Sequence, residues 1–269
     1  MPEELNPADP ALVEAARTLI QRAERILVLT GAGISTDSGI ADYRGPNGLW
    51  TKNPLAERAS NLQSYLGDPE LRKVAWKNRL TSPIWDAQPN AGHLALVALE
   101  GQGRLDTLVT QNVDGLHQRA GSDPDRVVEI HGTAHHVVCW SCGETAPMPI
   151  VLERVRAGED DPPCRTCGGV LKSTTISFGQ PLVAADLVRA EASAQRADLV
   201  LAIGSTLGVY PAAGLVPVAL HHGASLVIVN ADPTPFDAAA DVVLRGSISE
   251  VLPEIVRDER PLPTDVGPV

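Results

Sequence analysis

The stretch Ile26-Leu27-Val28-Leu29-Thr30-Gly31-Ala32-Gly33-Ile34-Ser35-Thr36-Asp37-Ser38-Gly39-Ile40 limits the folds open to this chain more than any other. An unbroken aliphatic run with no polar alternation fits a strand buried on both faces, the condition of a parallel sheet covered by helices. The run breaks at Gly31 and Gly33, where the absence of a Cβ lets the backbone approach a pyrophosphate closely. Ser35, Thr36 and Ser38 offer hydroxyls or a cap to the helix expected next. Gly39 lies too far along for the Gly-x-Gly-x-x-Gly spacing of a hydride-transferring dehydrogenase, so the turn alone leaves nucleotide binding open.

The rest of the chain repeats the strand-then-helix alternation of a doubly wound parallel sheet. Helical patterning covers Ala11 to Arg25, with Asn90 capping a helix from Ala91 to Leu99. Strands are expected at Thr107–Thr110, Val127–Ile130, Asp198–Ile203, Ser225–Val229 and Val242–Leu244, and helices at Leu182–Arg196, Ala212–His221 and Ser249–Val256. The segment from Pro54 to Trp85 reads as a helical insert, and 257–269 as a proline-rich, frayed tail. The domain plan is therefore a doubly wound α/β unit made of 11–45, 88–132 and 178–256. A helical insert with a loop occupies 46–87, and a cysteine module 133–177.

All four cysteines fall in that module, as Cys139-x-x-Cys142 and Cys164-x-x-Cys167. This spacing suits a tetrahedral zinc held by four thiolates, a structural site because no position remains for water. Disulfides within each pair would close very small loops. The absence of a signal-peptide pattern in Met1 to Pro10 also argues for a reducing, cytoplasmic setting. A formal net charge of -11 argues against a nucleic-acid partner. The apolar stretch Leu199 to Leu220 is broken by Gly204, Gly208, Pro211, Gly214 and Pro217, so it reads as core and not as a membrane span.

Polar and small residues gather where strands end: Gly31-Ala32-Gly33, Gln111-Asn112, Gly204-Ser205-Thr206 and Asn230. In an open α/β sheet such ends lie along one edge and favour a single dinucleotide crevice. His131 follows a strand and precedes Gly132, a position with room for substrate and a side chain suited to general-base work. His93, in the first turn of its helix, reads as structural, and Arg44 lies in a loop placed to close over a ligand.

Taken together, these motifs resemble the sirtuin family of NAD-dependent protein-lysine deacylases, bacterial type. The matching residues are Gly31-Ala32-Gly33-Ile34-Ser35 with Gly39-Ile40, Asp42-Tyr43-Arg44-Gly45, Thr110-Gln111-Asn112-Val113-Asp114-Gly115-Leu116-His117, His131-Gly132, the four cysteines, Phe178-Gly179, Gly204-Ser205-Thr206-Leu207, Pro211-Ala212-Ala213 and Asn230. The resemblance implies a large Rossmann-like domain with a smaller inserted zinc-ribbon and helical module, NAD as co-substrate, a structural zinc, an acylated lysine in a protein or peptide as partner, and acyl transfer to ADP-ribose with nicotinamide release. It also implies that Gly31, Ala32, Gly33 and Arg44 hold the pyrophosphate and its neighbouring ribose, with Thr36, Asp42 and Tyr43 beside them. Gly204, Ser205, Thr206 and Asn230 then serve the adenosine side, and Gln111, Asn112 and Asp114 the nicotinamide side. Asn112 and Asp114 join His131, the general base, as catalytic residues.

Three departures from the family pattern stand out. Ala41 and Tyr43 replace the common Pro and Phe, and Phe178-Gly179-Gln180 replaces Phe-Gly-Glu. Branches acting on acidic acyl groups carry Tyr-x-x-Arg in the helical insert, where this chain has Trp76-x-x-Arg79. Trp76, Arg79, Phe178 and Gly179 are thus expected at the substrate groove. The competing expectations are an ADP-ribosyltransferase or NAD glycohydrolase on the same scaffold, and a non-catalytic NAD-sensing module.

Overall fold

The structure, a computed structural model, describes residues 9–258. Its centre is a six-stranded, wholly parallel sheet of β1 (Ile26–Thr30), β2 (Leu105–Thr110), β3 (Val127–Glu129), β7 (Leu199–Ile203), β8 (Ser225–Val229) and β9 (Val242–Leu244). The spatial order is β3-β2-β1-β7-β8-β9. The chain therefore builds outward from β1 in one direction and then returns to build outward from β7 in the other. At that reversal the connections diverge and leave a crevice at the carboxyl ends of the strands.

Every residue of β1 and β7 is buried, as their aliphatic runs require. Alternate side chains feed two cores. Ile26 and Val28 pack under the helices Pro10–Arg22, Ala91–Gly101 and Ile248–Val256, whereas Leu27 and Leu29 pack under Ala184–Arg196 and Leu215–His221.

The glycine turn differs from its expected form. Residues Ala32–Ser38 form a 3-10 helix with no side-chain cap, and the next α-helix begins only at Leu49. The hydroxyls bond elsewhere: Ser35 donates to Asp114 at 2.7 Å, Thr36 to the Gly33 carbonyl at 2.9 Å, and Ser38 accepts from the Asn90 carboxamide at 3.0 Å. A Cβ on Gly33 would stand 2.7 Å from the Gly204 Cα, so this glycine is required first by the contact between the β1 and β7 turns. Other boundaries shift slightly. The first helix stops at Arg22, and the expected helix from Ala212 divides into a 3-10 turn, Ala212–Gly214, and the α-helix Leu215–His221, whose Pro217 has no N–H to donate. The Leu199–Leu220 stretch is thus strand, turn and short helices; among the described residues no helix is long and apolar enough to cross a membrane.

The small lobe is a three-stranded antiparallel sheet, β5-β4-β6, of β4 (His136–Cys139), β5 (Thr145–Pro147) and β6 (Leu171–Ser173). Its core includes Met148, Val151 and Leu152 from the helix Met148–Arg156, and also Trp76 from the helix Pro69–Leu80. The helical insert and the cysteine module therefore share one interior. Of the tail 257–269, residues 259–269 lie outside the described residues.

Gly33→Ala should lower the melting temperature, because overpacking of this kind costs about 1–3 kcal/mol. An unchanged melting temperature in thermal denaturation would show that the two turns can separate freely.

Candidate active site

A cleft of about 920 Å³ runs along the carboxyl ends of the central strands and under the small lobe. Its lining includes Gly31, Ala32, Gly33 and Thr36 from the first turn, Asp42, Tyr43 and Arg44 from the loop after it, Gln111, Asn112 and His131, and Gly204, Ser205, Thr206 and Asn230. Phe178, Gly179 and Arg79 line it as well. The first group of segments, far apart in the chain, meet because they follow β1, β2, β3, β7 and β8, which end at one edge, whereas Phe178, Gly179 and Arg79 come from outside the central sheet.

His131 is held by its own protonation pattern. Its Nδ1 lies 3.2 Å from the carbonyl oxygen of Gln111, which can only accept, so Nδ1 carries the proton and Nε2 keeps a lone pair. Burial lowers the pKa of the imidazole, against the opposing effect of the Gln111 carbonyl. The ring is therefore neutral at pH 7, in the tautomer a base requires. Gln111 is itself fixed, its carboxamide donating to the Ser205 hydroxyl at 2.9 Å and so tying the end of β2 to that of β7.

Asn112 is buried, and its carboxamide donates to the Gly31 carbonyl and the Ser35 hydroxyl, both at 3.1 Å. Asp114 departs from its expected place. It does not line the cleft: its carboxylate is buried behind Ser35, accepting from that hydroxyl at 2.7 Å and from the Leu116 N–H at 2.9 Å. The turn after β2 needs the side chain inward to hold Leu116, so Asp114 reaches the cleft only through Ser35 and Asn112.

Trp76 is the second correction. It is fully buried in the small-lobe core and does not line the groove, because a large ring on that helix face fills the space against the cysteine module. Arg79 lies over it, 4.7 Å from guanidinium carbon to ring centre, and finds its hydroxyl partner in Tyr65, 3.2 Å away on the helix Leu62–Gly67. At the mouth, Tyr43, Trp50 and Phe178 form a chain of rings with centres 4.8 and 5.4 Å apart, and Arg44 stands 5.0 Å from the Trp50 ring. Burial, with Asp114 adding its charge, pushes the Tyr43 phenol up to about 12. His93 is structural as expected: it completes a capping box with Asn90 at the start of its helix.

The four cysteine sulfurs lie within 4.8 Å of one another. Cys139 and Cys167 are 3.5 Å apart and Cys142 and Cys164 3.8 Å, far beyond a disulfide bond and close to the roughly 3.8 Å between thiolates on one tetrahedral zinc. A Cβ on Gly169 would stand 3.0 Å from the Cys139 sulfur, so the knuckle closes only around glycine.

Comparison with known proteins agrees with this geometry. The model of the Sir2 family matches residues 31–211. An NAD-dependent protein deacetylase 2 from Streptomyces coelicolor is 51% identical over 86% of this chain and 96% of its own length. The chain belongs to the Sir2 family. An NAD-dependent protein deacetylase from Haloarcula marismortui is 42% identical over 91% of this sirtuin and 92% of its own chain. Among solved structures, one described under the mechanism and regulation of Sir2 enzymes superposes with a TM-score of 0.84 at 37% identity, covering 92% of this chain and 97% of that one. A Sir2–p53 peptide–NAD+ complex superposes with a TM-score of 0.79 at 33% identity, covering 87% and 93%.

Several residues of this sirtuin's cleft escaped the sequence reading. Ser35, read as a hydroxyl or cap for the next helix and as part of the family motif, lies buried behind the cleft wall, where it bridges Asp114 and Asn112. Tyr65 and Lys172 gave no signal beyond their residue types. In Leu171-Lys172-Ser173 the period of two would turn Lys172 outward, yet all three residues are buried.

Cys164→Ser should reduce the zinc content of purified protein from one equivalent per chain toward zero and lower its melting temperature, as measured by metal analysis and calorimetry. Full retention of both would remove the metal assignment.

Proposed function

We propose that this protein is an NAD-dependent protein-lysine deacylase of the deacetylase type, which transfers the acyl group to ADP-ribose and releases nicotinamide. The observation that carries the reading is His131, neutral, half-buried in the cleft and fixed with Nε2 unprotonated. Its setting is a cleft whose donors suit a dinucleotide. The Gly31 and Gly33 turn with Arg44 supplies backbone and cationic groups for a pyrophosphate, and Asn230 and Ser205 supply partners for ribose and base. Four thiolates that fit one zinc make the metal structural, serving the small lobe.

When bound, NAD supplies a ribose carbon that becomes electrophilic as its bond to nicotinamide breaks. Asn112, held by Gly31 and Ser35, would hold the nicotinamide side of NAD, and Asp114 orients Asn112 through Ser35. Such fixed dipoles need not reorganise during reaction. His131 Nε2 would accept a proton from a ribose hydroxyl of NAD, activating it toward the acyl group, and Gln111 keeps the ring in the required tautomer. Phe178 and Gly179 line the approach of the acylated peptide, and the loop bearing Tyr43, Arg44 and Trp50 covers it from the cofactor side. In this division 11–45, 88–132 and 178–256 bind NAD. Residues 46–87 and 133–177 form the opposing wall. The proposed compartment is the cytoplasm, whose reducing conditions keep the four thiols available to metal.

With NAD and an acetylated peptide, the product should be acylated ADP-ribose by mass spectrometry; free or protein-bound ADP-ribose alone would favour glycohydrolase or transferase chemistry. His131→Ala should lower turnover by about 10²–10⁴-fold while leaving NAD affinity nearly intact. Retained turnover would displace His131 as the base. Because His131 must be neutral to act and burial lowers its pKa, activity should fall only as pH drops through a value below the 6.5 of free imidazole. An acid limb centred above that value would contradict the assignment.

A further inference from the structure

The segment that carries the base also carries a second imidazole, His135, which takes no part in the steps above. Residues 131–135 run beside the turn 111–115, and three carbonyls of that turn accept hydrogen bonds from them. The His131 Nδ1–H goes to the Gln111 oxygen at 3.2 Å, the Ala134 N–H to the Val113 oxygen at 2.9 Å, and the His135 Nε2–H to the Asp114 oxygen at 2.7 Å. A carbonyl only accepts, so His135 Nε2 carries a proton in either charge state of the ring. The two imidazoles thus grip the turn at both ends, with Asn112 between them.

The turn depends on that grip unequally along its length. On the strand side it is anchored to β1 and β2, the Gln111 N–H donating to the Thr30 carbonyl at 2.9 Å and the Asn112 N–H to the Thr110 hydroxyl at 3.0 Å. Past Asn112 it is held by Ala134 and His135 and by the bonds of the Asp114 carboxylate. The fit is close, for Gly115 has a φ of +70°, and a Cβ there would stand 2.8 Å from His135 Nε2.

The position of the His135 ring is set from the other lobe. Trp85 meets it edge-on, with ring centres 5.6 Å apart at 83°, and the Trp85 indole N–H donates to the Arg79 carbonyl at 2.6 Å in the helical insert. The His135 carbonyl accepts from the Met148 N–H at 2.8 Å, where the small-lobe helix begins, and β4 starts at the next residue. His135 itself does not line the cleft.

We infer that His135 is a positioning residue for the proposed reaction: by holding the Asp114 carbonyl it fixes Asn112 relative to His131 and so sets how well the nicotinamide half of NAD is held. It acts through the turn and touches no substrate. The inference rests on the deacylase reading for the role of Asn112, and its test is read by binding, without turnover.

The test compares NAD with ADP-ribose, which lacks nicotinamide, by calorimetry on the full chain. His135→Phe keeps a ring against Trp85 and removes the N–H. It should weaken NAD binding about fivefold, the effect of one lost hydrogen bond, and ADP-ribose binding by less than about twofold. His135→Gln, whose carboxamide keeps a donor, should recover most of the NAD affinity. Equal losses for the two ligands would make His135 structural only and overturn the inference, as would no loss for either. Should the Phe variant not fold, nitrogen NMR of the histidine-labelled, unaltered protein still decides, because Nε2 of His135 must stay protonated wherever the protein is folded; an unprotonated Nε2 overturns the inference. Unaltered protein that binds NAD but deacylates no peptide ends the deacylase reading, while the two ligands still decide the role of His135. Unaltered protein that does not bind NAD ends both.

Discussion

The contact between two backbone turns at the strand reversal is the constraint on which the rest of the site depends. The Gly33 N–H donates to the Gly204 carbonyl at 2.8 Å and the Gly31 N–H to that of Ile203 at 2.9 Å, so β1 and β7 are joined beyond the last rung of their ladder. A side chain on either turn would push the strand ends apart. Because those ends carry the cleft lining, the close approach sets the width of the crevice before any ligand arrives.

A second tier of polar contacts stands on that joint. Thr30 and Thr110 exchange a hydroxyl bond at 2.8 Å across β1 and β2, and the Asn112 N–H donates to the same Thr110 oxygen at 3.0 Å. Asn112 then reaches back to Gly31, and Gln111 reaches across to Ser205. These groups lie where the low dielectric strengthens each bond and penalises each unmade one. The result is a floor whose side chains are oriented by one another and need no ordering by substrate.

How much of this was legible depends on whether the signal was local. The strands β1, β7 and β8 are contiguous aliphatic runs, and the cysteines carry their geometry in their spacing, so both could be read directly from the sequence. Most cleft residues were legible for a related reason: each directly follows a strand, and strand ends share an edge. What failed depended on partners distant in sequence. Asp114 looked like a ligand contact because it stands among amides, but its carboxylate is turned inward by Leu116 and Ser35. Trp76 occupied the position expected of a groove residue, but its size suits the core shared with the cysteine module. The glycines of the first turn carry a second demand that the sequence did not show: beside the room they leave for a phosphate, they admit another turn 171 positions later, Gly204 after Gly33.

The register of the central sheet also bears on how the chain is made. Ile26 pairs with Leu199, so one edge of β1 must wait for almost the whole intervening sequence to leave the ribosome. Until then the β7-facing margin of β1 has no partner, an apolar edge of the kind that invites wrong ones. The cysteine module, encoded between β3 and β7, has all its ligands before the missing strand emerges. All four thiols are therefore available to metal before the strand that completes the large sheet has been made, which opens a window in which zinc supply can bear on the growing chain as well as on the folded one.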